Sequence, residues 1–249
     1  MPFMPTQEET AVQPLNKDSS FDNKSSIVRR ARIKTAIGDA VLGIVLFGAA
    51  GDLVWLQGWA YMAVLLASTI LSLFGPFQID AGLMQERMSK KPDAKQWDWF
   101  FVALVGILTF AELIVPAFDH RWGWTHQLRP WMSWLGLAMV ALGTLILIWS
   151  MRVNRFFSAV IRIQSDRGHH VISTGPYRKV RHPGYAGWGV RTLGVPLLLG
   201  SLWAFIPASL FVASFVIRTS LEDRILQAEL PGYSEYASTV RAKLLPGIW

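Results

Sequence analysis

Polar and apolar residues in this chain are segregated into long blocks. Residues 36–56 carry only Asp39 and Asp52, residues 58–79 carry no charge, and residues 99–118 carry only Glu112. Residues 131–151 are again uncharged, and residues 184–217 hold only Arg191. A bilayer crossing takes about 20 apolar residues. Four of the blocks therefore predict single transmembrane helices. The fifth, at about 1.5 Å of rise per residue, is long enough to cross and return as two short helices. Gly194, Pro196, Gly200 and Pro207 lie inside it, and the turn is expected near Gly200-Ser201. The predicted fold class is all-α, a polytopic membrane protein of about five to six transmembrane helices ending in a helical hairpin. Three regions follow: a disordered tail over residues 1–28, transmembrane helices over 29–151, and a C-terminal functional region over 152–249.

Between the blocks the chain is polar, and each connection has its own expectation. Residues 80–97 predict a short amphipathic helix on the membrane surface, then a turn at Pro92. Trp122, Trp124, Trp131 and Trp134 suit an interfacial aromatic belt. His120 and His126 read as solvated loop residues. Residues 152–183 form a long connection broken by Gly168, Gly175-Pro176 and His182-Pro183, and Pro231-Gly232 ends the helix that follows the hairpin.

Composition strengthens the membrane reading. Charged residues make up 16% of the chain, against about 25% in a soluble domain. Lys and Arg fix the expected orientation. Six lie in residues 1–34, four between the second and third spans, seven in residues 152–181 and four in residues 218–249. The other side holds only Arg121 and Arg129. Both termini and the functional region are therefore expected in the cytoplasm, of a bacterial inner membrane or an endoplasmic reticulum membrane. The net charge of +7 is spread along these flanks and implies anionic lipid, not nucleic acid, as its partner. The polar start of the chain is unlike a signal peptide, because its first apolar run begins late and is long. With no cysteine, disulfides, thiolate catalysis and cysteine-ligated metals are excluded. No carboxylate–histidine set has metal-ligand spacing, so no metal is expected.

The chemistry concentrates at the two ends of the last apolar block. Gly175-Pro176-Tyr177 and Arg181-His182-Pro183-Gly184-Tyr185 precede it, and Arg218, Glu222 and Asp223 follow it. A two-helix hairpin brings its ends together, so these side chains converge at one membrane depth. Charged groups there are costly to desolvate and point to function. Arg218 and Glu222, four apart, share a helix face, which by itself suits an ordinary ion pair. There is no Gly-x-Gly-x-x-Gly dinucleotide fingerprint and no phosphate loop.

The run Gln164…Arg167-Gly168-His169…Thr174-Gly175-Pro176-Tyr177…Arg181-His182-Pro183-Gly184-Tyr185, then Arg218…Glu222-Asp223…Leu226…Gly232-Tyr233…Tyr236, resembles the isoprenylcysteine carboxyl methyltransferase family. The resemblance covers roughly residues 154–249. It implies a cytoplasmic cofactor pocket for S-adenosylmethionine, contacted by Gln164, His169, His170, Val171, Ile172, Tyr177, His182, Pro183, Gly184, Tyr185 and Glu222. It implies that Arg218 meets the carboxylate of a lipophilic, prenylated substrate, with Arg218 and Glu222 as the catalytic pair. Arg181 is read as a carbonyl clamp. Where the family usually has Glu-Glu, this chain has Glu222-Asp223, and the spacing from Gln164 to His169 is short.

Three other readings compete. Sterol reductases resemble this tail too and use a reduced nicotinamide, although their chains are usually longer. A methyltransferase of the same fold that acts on a phospholipid amine or a small thiol fits the same residues. A membrane scaffold without catalysis predicts no cofactor binding at all.

Overall fold

The computed structural model describes residues 17–74, 78–89, 95–126 and 128–249, with side chains from Ser25 onward. Among these residues eight α-helices follow one another: α1 Lys17–Ala50, α2 Leu56–Leu73, α3 Ala81–Met88, α4 Asp98–Trp122, α5 Pro130–Val153, α6 Pro183–Leu199, α7 Phe205–Glu229 and α8 Tyr233–Thr239. Two short 3₁₀ turns, Ser165–Arg167 and Gly175–Arg178, interrupt the α5–α6 connection. No strand occurs among the described residues. Among the described residues five helices are long and apolar enough to cross a bilayer, and the chain is an integral membrane protein. The 17-residue α6 is shorter and forms the first arm of the hairpin.

Helix ends follow local chemistry. Pro130 and Pro183 open α5 and α6 at positions where a missing N–H costs nothing. Gly200 closes α6 in the left-handed conformation (φ 77°), so the hairpin turns where its glycine allows. Asp80 caps α3 by accepting from the Leu83 N–H at 3.1 Å. Pro92 lies outside the described residues.

The helices alternate in direction, and the loops at each end are tied together. At one end, His120 of α4 pairs with Asp52 at 2.9 Å, and Asp119 receives both the Thr125 and the Ser201 hydroxyls. His120 is therefore a paired helix residue stacked 4.5 Å from Trp55, not a free loop residue. The opposite end gathers α3, the 154–182 connection, α8 and the C-terminus.

Two interfaces set the hairpin in place. On α5, Gly136 and Gly143 meet Gly194 and Gly187 of α6. A Cβ at Gly136 would run into the backbone N of Leu198, and one at Gly143 would stand 2.5 Å from Arg191 N and Gly187 O. Small residues at such spacing let helix backbones approach closely in lipid, where packing replaces the hydrophobic effect. On the other side Phe211 and Phe215 of α7 pack with Leu108 of α4, beside Tyr185 and Trp188 of α6. The one charge of the hairpin interior, Arg191, donates to the Tyr61 hydroxyl.

The N-terminal region differs from expectation. Residues 17–28, read as part of a disordered tail, are helical; residues 1–16 lie outside the described residues. Ile27 and Val28 rest on a cluster of Ala31, Leu73, Ile79, Leu83 and Met84, which gives the helix apolar support beyond the span. Once nucleated, a helix extends at the cost of one residue per added hydrogen bond.

Candidate active site

A cavity lies where α6 and α7 reach the 154–182 connection. Its wall contains Gln164, His169, His170, Val171, Ile172, Tyr177, His182, Gly184, Tyr185, Arg218 and Glu222. The hairpin thus brings the two ends of the apolar block to one place. Pro183 alone of the expected set stands outside the lining, because as the first residue of α6 it faces the helix packing and is buried.

Asp223 organises one wall. It is 1% exposed and takes Arg181 Nε at 2.7 Å and Nη2 at 2.8 Å. The Tyr233 hydroxyl donates to the same carboxylate at 3.0 Å, and His182 Nε2 lies 3.3 Å away. The remaining Nη1 of Arg181 donates to the carbonyls of Val240 and Arg241, both at 2.8 Å. Arg181 is thus a carbonyl clamp, held in orientation by Asp223. The backbone completes it: Arg181 N and His182 N donate to the carbonyls of Ala242 and Lys243. Burial and the neighbouring Asp223 charge push the Tyr233 hydroxyl well above its ordinary pKa, so it remains a donor. Tyr236 donates to the Tyr177 carbonyl at 2.7 Å and fixes the turn that carries the Tyr177 ring.

The opposite wall is built on Asp98, a fully buried residue in the first turn of α4. Arg218 gives it two parallel bonds, Nε at 2.8 Å and Nη2 at 2.9 Å, and the Ile161 N–H donates at 2.7 Å. Arg218 also holds the Ala159 carbonyl at 2.8 Å. The sequence reading aimed Arg218 at a substrate carboxylate; here its Nε–Nη2 edge meets an internal carboxylate, while Nη1 makes no hydrogen bond among the described residues and the residue lines the cavity. The cause is placement: α4 and α7 pack side by side, and an ionised group this deep must be paired. Arg218 and Glu222 make no ion pair either; Glu222 instead accepts from the Tyr185 hydroxyl at 2.6 Å. The Arg218 guanidinium lies 5.7 Å from the Tyr185 ring centre, and the Tyr185 and His182 rings are parallel at 5.9 Å.

The rim on the loop side is a chain of contacts. Gln164 is buried, donates to the Phe156 carbonyl at 2.7 Å and accepts from Arg167. His169 Nδ1 accepts from the Gln164 N–H at 3.3 Å. Burial, with His170, Arg162 and Arg167 nearby, lowers the His169 pKa to about 4, so the ring is neutral at pH 7. Arg162 pairs with the buried Glu86 of α3 at 3.0 Å, joining that surface helix to the rim. Asn154, Phe156, Phe157, Tyr233 and Tyr236 also line the cavity without having been proposed as site residues.

The groups present suit a cationic methyl donor. Tyrosine and histidine rings face the cavity beside Glu222, a carboxylate with no cation within ion-pair distance among the described residues. Electron-rich faces and an anion are what a sulfonium requires. No group of three or more potential metal ligands occurs among the described residues.

Comparison with known proteins places the same half of the chain. A family model described as phospholipid methyltransferase matches residues 131–230. A probable protein-S-isoprenylcysteine O-methyltransferase of Oryza sativa subsp. indica is 30% identical over 135 residues, covering 53% of this chain and 66% of the rice protein. Protein-S-isoprenylcysteine O-methyltransferase B of Arabidopsis thaliana is 27% identical over 142 residues, 55% of this chain and 68% of that protein. The chain spans slightly less than two thirds of the rice protein's length.

Proposed function

We propose that the chain is a member of the isoprenylcysteine carboxyl methyltransferase family and methylates a lipophilic acceptor at the cytoplasmic membrane face, with S-adenosylmethionine as donor. The observation that carries this is the cavity itself: Glu222, Tyr185, Tyr177, His182 and the 164–172 rim converge on one space beside a membrane hairpin. The most fitting acceptor is the carboxylate of an isoprenylcysteine-like molecule. S-adenosylmethionine supplies an electrophilic methyl: an acceptor oxygen forms the new C–O bond while the C–S bond breaks, its electron pair staying on sulfur.

The chain's part is binding and placement. Glu222, positioned by Tyr185, offers a carboxylate to cationic or hydroxyl groups. The rings of Tyr177, His182 and Tyr185 present their faces, and Gln164 with His169 to Ile172 closes the polar rim. A carboxylate acceptor is already ionised at neutral pH, so no general base is needed. Holding both reactants in line supplies most of the rate, and exclusion of water strengthens the electrostatics.

A phospholipid amine is the second reading. It is favoured by the Asp98–Arg218 pair, which takes the Nε–Nη2 edge of Arg218. Calorimetry of the detergent-purified chain with S-adenosylmethionine and with NADPH tests the reaction class, with Glu222→Ala as control. Micromolar binding of the methyl donor, lost in the variant, supports methyl transfer. Binding of NADPH alone overturns it in favour of a reductase. Farnesylcysteine, phosphatidylethanolamine and thiol acceptors then separate the methyltransferase readings.

A further inference from the structure

The charges around the cavity are nearly all spoken for. Arg218 is paired by Asp98, Arg181 by Asp223, and Arg162 by Glu86 and Asp166. Glu222 remains, and its single negative charge complements a donor that is itself a net cation. A carboxylate acceptor entering such a site brings a charge with no free partner in the cavity wall. Burying it unpaired would be prohibitive.

Arg87 lies just outside the cavity lining, against Phe157, which is part of it. It lies in the last turn of α3, directly after Glu86, whose bond to Arg162 anchors the helix to the cavity rim. Its guanidinium is 6.0 Å from the Phe157 ring centre, Phe157 is 6.5 Å from Tyr185, and Tyr185 is 5.7 Å from the Arg218 guanidinium. Gly184 permits this approach, since a Cβ there would collide with the Phe157 ring. Arg87 is exposed, and its sole hydrogen bond among the described residues is a long one of 3.4 Å to the Phe157 carbonyl. No carboxylate lies within ion-pair distance of it among those residues. Two other cations near the cavity, Arg155 and Arg167, flank Phe156 on the Gln164 side, away from the hairpin, and bond each other's carbonyls.

We propose that Arg87, on the surface helix α3, is the residue that binds the anionic group of the methyl acceptor, in place of the Arg218 already paired with Asp98. This rests on the carboxylate reading above. Phe157 and Tyr185, the two rings between the arginines, then mark the channel along which the acceptor's head group reaches the methyl. The lipid tail stays on the membrane side, and α3 lies in the interface where head group and tail part.

The test uses the full chain in detergent, with N-acetyl-S-farnesylcysteine as acceptor and its neutral carboxamide as competing ligand. Arg87→Ala should raise KM for the acceptor by about tenfold or more, the size of a lost charge-assisted contact. Calorimetric affinity for S-adenosylmethionine should stay within about twofold of wild type, which a folding defect would not allow. Arg87→Lys should restore part of the loss. The preference for carboxylate over carboxamide should vanish in Arg87→Ala and persist in Lys95→Ala, which removes a surface charge from the same connection. An unchanged KM in Arg87→Ala, with wild type methylating the acceptor, overturns the role of Arg87 alone. A wild-type chain that binds the donor but ignores the carboxylate and methylates phosphatidylethanolamine overturns the carboxylate reading, and the role of Arg87 with it.

Discussion

Asp98 and Arg218, 120 residues apart, form a two-pronged ion pair of 2.8 and 2.9 Å at the inner wall of the cavity. Both side chains are almost fully buried. Removing one partner strands the other as a buried charge, at a cost of about 3–5 kcal/mol. Asp98→Ala should therefore lower the melting temperature in detergent sharply, and Arg218→Ala should do the same. The double variant should be more stable than either, because no lone charge remains. A loss in the double variant equal to the sum of the two single losses would show that the pair is not coupled.

Tyr185 and Glu222 meet across the hairpin at 2.6 Å, so the tyrosine holds the carboxylate in one orientation. Glu222→Ala should weaken S-adenosylmethionine binding by about tenfold or more, since a bond to a charged group is lost. Tyr185→Phe keeps the carboxylate and the ring but removes the orienting bond. It should have a smaller effect, read by the same calorimetric titration. A larger loss in Tyr185→Phe than in Glu222→Ala would reverse the assigned roles.

Much of this arrangement is legible in the sequence, and the exceptions have physical causes. Apolar blocks predict the spans because a bilayer demands continuous length, and the hairpin's turn follows from Gly200. The convergence of Tyr177–Tyr185 with Arg218–Asp223 follows from hairpin geometry alone. Asp98 escapes notice because a single acid at the start of a span looks like a flank; only the packing of α4 against α7 makes it the partner of Arg218. Asp223 stands beside Glu222 in sequence, yet one helix step turns it away toward Arg181. The pairing of Arg181 with the C-terminal carbonyls is equally invisible, since backbone acceptors leave no trace in residue type. The helical stretch 17–28 was missed because its support comes from Leu73 and Leu83, far along the chain.

His169 gives the site a pH dependence of definite sign. Its folded pKa of about 4 lies below the ordinary imidazole value of 6.5, because burial disfavours the charged ring and His170, Arg162 and Arg167 repel it. Between these values the unfolded chain binds more protons than the folded one, so stability rises with pH. The contribution is complete above about pH 6.5 and is lost as pH falls toward about 4. Protonation also removes the Nδ1 acceptor that holds the Gln164 N–H. Melting temperature should decline over that window in wild type, and His169→Gln should flatten part of the decline. An unaltered profile in the variant would assign the dependence to other groups.

The glycine seam between α5 and α6 offers the sharpest contrast between sites of like composition. A Cβ at Gly143 would lie 2.5 Å from the backbone of Arg191 and Gly187, whereas one at Gly106 of α4 or Gly48 of α1 meets nothing within 4 Å. Backbone cannot rotate aside as a side chain can, so Gly143→Ala must push the helices apart, an overpacking cost of about 1–3 kcal/mol. Gly106→Ala and Gly48→Ala should instead be neutral or stabilising by up to about 1 kcal/mol through helix propensity. Because α6 begins at the cavity, a displaced α6 also shifts Tyr185 and Gly184. Gly143→Ala should therefore lose both thermal stability and affinity for the methyl donor, while the two control variants keep both. A Gly143→Ala protein with wild-type melting and donor affinity would mean that the seam is looser than its backbone distances state.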